Sequence, residues 1–415
     1  MLEKLVNETE KECEGIFKEI QEMVERNQHK MLNAFQRQQI GDHHFNSTDG
    51  YGYDDIGRER LEALYADVFG AEDALVRPQL VSGTHAIATS LFSLLLPGDE
   101  LMYITGSPYD TLEEVIGKRG QESGSLKELQ VTYQEVDLLE NGKVDYPAIK
   151  AGLSERTKVI GIQRSKGYAD RPSFTMDEIA EMIQFVKNLH PQAIVFVDNC
   201  YGEFVEDREP LEVGADVVAG SLIKNPGGGL VRAGGYIAGK AAFIAKAANR
   251  LTAPGLGKET GATLQMLQEM YQGFFLAPHV VGESLKGAVY TARLLEKLHI
   301  TTAPAYHEKR TDLIQSITFD NQEKMIAFCQ LVQANSPINS YVAPYPSEMP
   351  GYEEEVIMAA GTFIQGASIE LSIDGPIKPP YIAFMQGGLT YAHVKIAINN
   401  TMEKMISDGL ITVSE

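Results

Sequence analysis

Lys224 follows the apolar run DVVAGS (216–221) and precedes Pro226-Gly227-Gly228-Gly229. A lysine shielded from water in that setting becomes nucleophilic and can form a Schiff base with an aldehyde. The glycines let the backbone come close to a ligand. Asp198, 26 positions upstream, ends the strongly apolar run AIVFVD (193–198). A carboxylate there is costly to bury without a cation or donor. In VSGTHAIATSLFSLL (81–95) a glycine turn opens a helix, with hydroxyls at Ser82 and Thr84. Free amides at a helix start, with Ser82, Gly83 and Thr84 around them, suit a phosphate. Tyr109, after LMYI (101–104), offers an aromatic face to a planar ligand. Singly, each has an ordinary explanation: a loop lysine in solvent, a solvated strand-end Asp, a Ser/Thr helix cap, a packing tyrosine. In this order they match what an aldehyde cofactor with a phosphate, an aromatic ring and a pyridine nitrogen requires. Lys224 would form the imine, Asp198 would keep the nitrogen protonated, Tyr109 would stack, and 82–84 would hold the phosphate.

The elements that must position these groups are readable. Apolar runs recur at 101–104, 131–136, 159–163, 193–198, 216–221 and 235–239, with helical stretches such as TMDEIAEMIQFVKNLH (175–190) between several of them. That alternation predicts a mainly parallel sheet covered by helices on both faces, whose ligands bind beyond the carboxyl ends of the strands. Residues 3–38 are long, charged and free of Pro, and read as a helix; 41–55 reads as a glycine-rich ordered loop or arm; 58–70 reads as a helix stopping at Gly70. A helical stretch over 261–297 is expected to be interrupted at Pro278. The last third mixes helices (321–334, 389–408) with β-like runs (340–343, 355–359, 367–372), an α+β pattern. The expected division is a helix and arm over 1–55, a large domain over 56–275 and a smaller α+β domain over 276–415.

Composition narrows the function classes. The 415 residues carry 36 Lys+Arg against 57 Asp+Glu, a net charge of −21, which argues against nucleic-acid and polybasic membrane-surface partners. Residues 221–260 nevertheless hold six basic residues against one acid, which predicts a locally positive site. Cys13, Cys200 and Cys329 lie far apart without a CxxC, so a zinc site or disulfide framework is not expected. The charged N-terminus has no apolar signal core, and no run approaches a membrane span; the expectation is a soluble cytoplasmic protein. His43-His44 lacks a third ligand, and Glu353-Glu354-Glu355 reads as a solvated edge.

Over about 40–400 the chain resembles the fold-type I pyridoxal-phosphate enzymes of the cystathionine/methionine gamma-lyase group, and within them the methionine gamma-lyase-like or aluminium-resistance branch. The residues that carry the likeness are Val197-Asp198-Asn199, Ser221-Leu222-Ile223-Lys224, Ser82-Gly83-Thr84, and Tyr51-Gly52-Tyr53 with Arg58. The resemblance implies a seven-stranded-type sheet between helices and a Lys224 that holds the cofactor as an aldimine and shuttles the Cα proton. Tyr109 or an arm tyrosine, Tyr53 or Tyr51, would assist proton transfer. It implies a Ser221 hydroxyl on the phosphate, and an arm that brings Tyr51 or Tyr53 and Arg58 to a neighbouring subunit's phosphate, hence a homo-oligomer built as a dimer of dimers. Two features depart from the group's pattern. Ile223 stands where a threonine usually precedes the lysine, and the phosphate turn reads Gly83-Thr84-His85, closer to aldolase-like relatives; His85 itself reads as a helix-surface residue. Arg164 and Arg232 are the candidates for a substrate carboxylate. The implied reaction is elimination at a sulfur-containing amino acid to a 2-oxo acid, ammonia and a thiol. An aldolase- or aminotransferase-like enzyme of the same fold and a non-catalytic stress-response relative are the alternatives. A nicotinamide-dependent dehydrogenase lacks its glycine fingerprint.

Overall fold

The computed structural model describes residues 2–120, 124–349 and 352–412. The chain divides into two compact units, His29–Phe275 and the segments before 29 and after 275. The N-terminal helix α1 (Leu2–Arg37) therefore contributes to both units and forms no separate body with the arm. Its buried residues Cys13, Ile20, Val24, Met31 and Ala34 recur at helical spacing.

Within His29–Phe275, helix α2 (Ile56–Phe69) begins at Asp55, whose carboxylate accepts from the Arg58 amide, and ends at Gly70 with φ 70°. The left-handed conformation there is the ordinary reason for glycine at a helix end. Seven strands follow: β1 (Asp73–Arg77), β2 (Glu100–Tyr103), β3 (Thr132–Glu135), β4 (Thr157–Gln163), β5 (Ile194–Asp198), β6 (Val217–Ser221) and β7 (Gly235–Gly239). Between them run α3 (Gly83–Leu94), α4 (Asp110–Ile116), α5 (Tyr146–Gly152) and α6 (Met176–Leu189); α7 (Ala241–Leu251) follows β7. The sheet order is β1-β7-β6-β5-β4-β2-β3, and β7 alone of these seven runs antiparallel to its neighbours β1 and β6. The reversal follows from the connection over 222–234. It holds only a short 3-10 turn at Asn225–Gly227, and a parallel return needs a longer crossover. Strands β5 and β6 are buried throughout, as the near-continuous apolar runs require. Their core partners include Leu75, Ile87, Leu91, Leu101, Ile237 and Ile244.

Helix α8 (Leu267–Lys297) passes through Pro278 without a break and starts six residues later than the sequence suggests. Residues before it are irregular, with Leu264 and Gln265 at φ 54° and 58°. In the other unit, β8 (Thr301–Ala303), β9 (Gln315–Phe319), β10 (Val356–Ala359), β11 (Ser372–Pro376) and β12 (Tyr381–Gln386) pair in the order β10-β11-β12-β9-β8. Helices α9 (Gln322–Ala334) and α10 (Tyr391–Ser407) supply Phe328, Val332, Val394 and Ile398 to its core. Two expected strands are corrected. Residues 340–343 form an exposed loop, because Pro337, Pro344 and Pro346 flank them and lack amide donors. The run at 367–372 becomes β11 only from Ser372, since Glu370 turns back to accept from the amides of Phe363 and Ile364.

Candidate active site

The carboxyl ends of β4, β5 and β6 and the start of α3 meet at one edge of the large sheet. Ser82 caps α3, its hydroxyl accepting from the His85 amide at 3.0 Å. The first intrahelical bond is donated by Ala86 to Ser82, so the amides of Gly83 and Thr84 project from the helix start. A Cβ on Gly83 would lie 3.1 Å from the Ser221 Cβ and 3.3 Å from the Cys200 Sγ. A side chain there would press on both, so glycine eases the close approach of the helix start to the ends of β5 and β6. Ser82, Thr84 and Ser221 thus bring three hydroxyls to a helix start with two outward amides, a donor set suited to a phosphate.

Tyr109 closes another side. Its amide donates to Gln163 Oε1 at 2.8 Å and its hydroxyl donates to Thr84 Oγ1 at 2.8 Å. Burial, with the charge of Asp198 beside it, pushes the phenol up, so it stays protonated at neutral pH. Asp198 ends β5 at 5% exposure, and its Oδ1 accepts from the Cys200 amide at 3.1 Å. Burial pushes its carboxyl above the ordinary range, against the pull of Lys224, the Cys200 amide and Arg171. A buried carboxylate in that state is incompletely compensated and would be relieved by a cationic ring nitrogen.

Lys224 immediately precedes the 3-10 turn, and its Nζ lies 3.9 Å from the centroid of the Tyr201 ring. Burial lowers its basicity, but Cys200, Tyr201, Asp198 and Tyr109 around it outweigh burial and raise it. Anion-binding turn, aromatic, buried carboxylate and enclosed lysine are the groups that pyridoxal phosphate requires, so the residues fit that cofactor.

The structure brings together Ser82, Gly83, Thr84, Tyr109, Asp198, Ser221 and Lys224. It places other expected residues elsewhere. Arg58 is buried and donates to the carbonyls of Gly52 (2.6 Å), Gly261 (2.9 Å) and Glu259 (3.3 Å). Within the chain it pins the arm to the 259–261 segment. Tyr51 and Tyr53 are 74% and 53% exposed and stack on each other at 5.4 Å. Arg164 is fully buried, donating to Asn199 at 2.9 Å and pairing with Glu206 at 3.4 Å and Glu209 at 3.7 Å. The backbone of Gly202 packs against its guanidinium, which is engaged by Asn199, Glu206 and Glu209. Arg232 is exposed and held by Glu269 at 2.8 Å. Of the six basic residues over 221–260, Lys240 pairs with Asp216, Lys258 with Asp73 and Glu62, and Arg250 lies over Phe92. His44 accepts from the Gly41 amide in a local turn.

Sequence reasoning missed Tyr201 and Glu203. Both lie in the turn directly after Asp198, and that position is the signal that could have found them. Glu203 is fully buried and accepts from the Tyr236 hydroxyl at 2.7 Å. Burial pushes its carboxyl up to about 8, although the Tyr236 bond works the other way.

The methionine gamma-lyase family model matches residues 2–406. The chain belongs to the methionine gamma-lyase family. It is 62% identical over 412 residues to the uncharacterised protein YnbB of Bacillus subtilis (strain 168), covering 99% of this chain and 98% of that one. It superposes with TM-score 0.96 and 58% identity on a Listeria monocytogenes protein provisionally named a cystathionine beta-lyase involved in aluminium resistance, over 97% of this chain and 99% of the other. At 18% identity it shares the fold of the pyridoxal-phosphate-dependent protein YhfS of Escherichia coli, with TM-score 0.61 over 93% and 97% of the two chains. The fold is that of the pyridoxal-phosphate-dependent lyases of this group. Among the described residues no helix is long and apolar enough to cross a membrane.

Proposed function

We propose that this member of the family is a pyridoxal-phosphate-dependent carbon–sulfur lyase acting on a sulfur-containing amino acid and releasing a thiol, ammonia and a 2-oxo acid. The observation that carries the reading is the convergence of Lys224, Asp198 and the Gly83–Thr84 helix start at one sheet edge. Bound pyridoxal phosphate supplies an aldehyde for the substrate amine and an electron-withdrawing protonated ring. Gly83, Thr84, Ser82 and Ser221 orient its phosphate, and Asp198 holds positive charge at the ring nitrogen. Lys224 as neutral amine takes the Cα proton at Nζ and becomes an ammonium. Tyr109 keeps a proton on its hydroxyl at neutral pH and is our candidate to protonate the departing sulfur. Borohydride should fix pyridoxal phosphate to the peptide carrying Lys224, and Lys224→Ala should abolish both that adduct and thiol release from candidate amino acids. A wild-type protein that takes up no cofactor refutes the reading.

The reading extends to a homo-oligomer, with dimers paired into a tetramer. Tyr51, Tyr53, Ile56 and Leu264 are all more than half exposed, and the Gly261 amide ties their segments together by donating to the Tyr51 carbonyl at 2.8 Å. An apolar patch of that kind favours cover by a second copy. Three free, buried cysteines support a reducing, cytoplasmic setting.

A further inference from the structure

The turn after Asp198 carries backbone strain that the reaction outlined above leaves unexplained. Tyr201 and Phe204 have φ 69° and 63°, a left-handed region that bulky residues rarely occupy. Such conformations persist only where the surroundings over-determine them. Here the surroundings are specific. The Cys200 amide is held by Asp198 Oδ1 at 3.1 Å and the Gly202 amide by the Asn199 carbonyl at 3.0 Å. The Phe204 amide donates to Glu209 at 2.9 Å. Asn225 Nδ2, adjacent to the lysine in sequence, donates to the Glu203 carbonyl at 2.9 Å and stitches this turn to the lysine turn. What the strained turn delivers is the face of the Tyr201 ring, 3.9 Å from Lys224 Nζ.

We propose that Tyr201 is a positioning residue that holds the ammonium form of Lys224 against its ring face. The inference rests on the lyase reading of this site. When Lys224 takes the Cα proton, the C–H bond breaks, an N–H bond forms, and the electron pair stays with the substrate carbon. The product of that transfer on the protein side is an ammonium in a half-buried site. An aromatic face stabilises a partly desolvated ammonium without offering an acceptor that could take its proton away. The other groups facing Lys224 are Cys200, Asp198, Tyr109 and Glu203. Of these only Asp198 can carry a full charge near neutral pH, and in the reading above its charge is directed to the ring nitrogen. Tyr201 therefore makes Lys224 a stronger base and keeps the protonated amine in place.

The test is the basicity of Lys224 in cofactor-free protein, read from the pH dependence of its acetylation by trace acetic anhydride and quantified on the Lys224 peptide. Tyr201→Phe retains the ring and should keep the wild-type midpoint. Tyr201→Leu should lower it by about one pH unit, the size of a half-buried cation–π contact. Placing phenylalanines of increasing ring fluorination at 201 preserves shape while draining the ring face, and should lower the midpoint stepwise even if the leucine variant fails to fold. An unchanged midpoint across the fluorinated series overturns the proposal. Borohydride fixation of pyridoxal phosphate to wild-type Lys224 is measured in parallel. Its failure refutes the lyase reading, whereas fixation with an unchanged midpoint refutes only the role of Tyr201.

Discussion

Replacing Glu203 by glutamine tests whether a neutral acid lies under the site. Its carboxyl is fully buried beside Tyr236, and burial moves it from the usual 4.5 up to about 8. In the unfolded chain it ionises near its ordinary value, so between those two pH values the folded state binds the extra proton. Stability contributed by the protonated form is complete below about pH 4.5 and is lost progressively as pH rises to about 8. At 1.36 kcal/mol per unit, the full loss is about 5 kcal/mol. Glutamine copies the neutral carboxyl in shape and can still accept from Tyr236, so it should remove that slope. Urea unfolding of cofactor-free protein at a series of pH values would show Glu203→Gln close to wild type near pH 5 and more stable by several kcal/mol above pH 8. Parallel stability profiles for the two proteins would refute the reasoning, because they would mean Glu203 titrates alike in the folded and unfolded chains. A glutamine variant less stable at every pH would refute it equally.

Arg58→Ala should cost about 3 kcal/mol in the same assay, since three carbonyls lose a buried donor; Arg58→Lys should recover little of it, because one ammonium cannot span the same three acceptors. Replacing both Tyr51 and Tyr53 by aspartate should shift the light-scattering mass of the purified protein to that of one chain, and an unchanged mass would place the interface elsewhere.

Much of this arrangement is legible in the residues because strand ends are. Asp198 and Ser221 close apolar runs, so the sheet rule puts them at one edge with Lys224 just beyond. The Ser82 cap is legible for the same local reason. Arginines defeated the reading. Arg58, Arg164 and Arg232 are chemically equal in a sequence, yet two are consumed by carbonyls and carboxylates brought from far along the chain and the third is tied to Glu269. Tyr201 stayed hidden for a different reason, since its role depends on a left-handed φ that no side-chain pattern announces. In the smaller unit, strands β8, β9 and β12 escaped because they are short or lack a clean alternation, and their pairing is set by antiparallel neighbours distant in sequence.

Gly227, in the turn behind Lys224, and Gly273, on α8, leave no room for a side chain. A Cβ on Gly227 would strike the Leu222 carbonyl, and one on Gly273 would strike the Gly227 carbonyl. Backbone thus lies on backbone, with nothing between them that could be trimmed or enlarged. In a library of variants selected for new substrates, these two positions should come through unaltered, and so should the path of the chain that presents the lysine. Diversity in what the enzyme accepts would then have to be written into the loops that follow β2 and β4, leaving the lysine's mounting as the fixed frame around which any retooling is done.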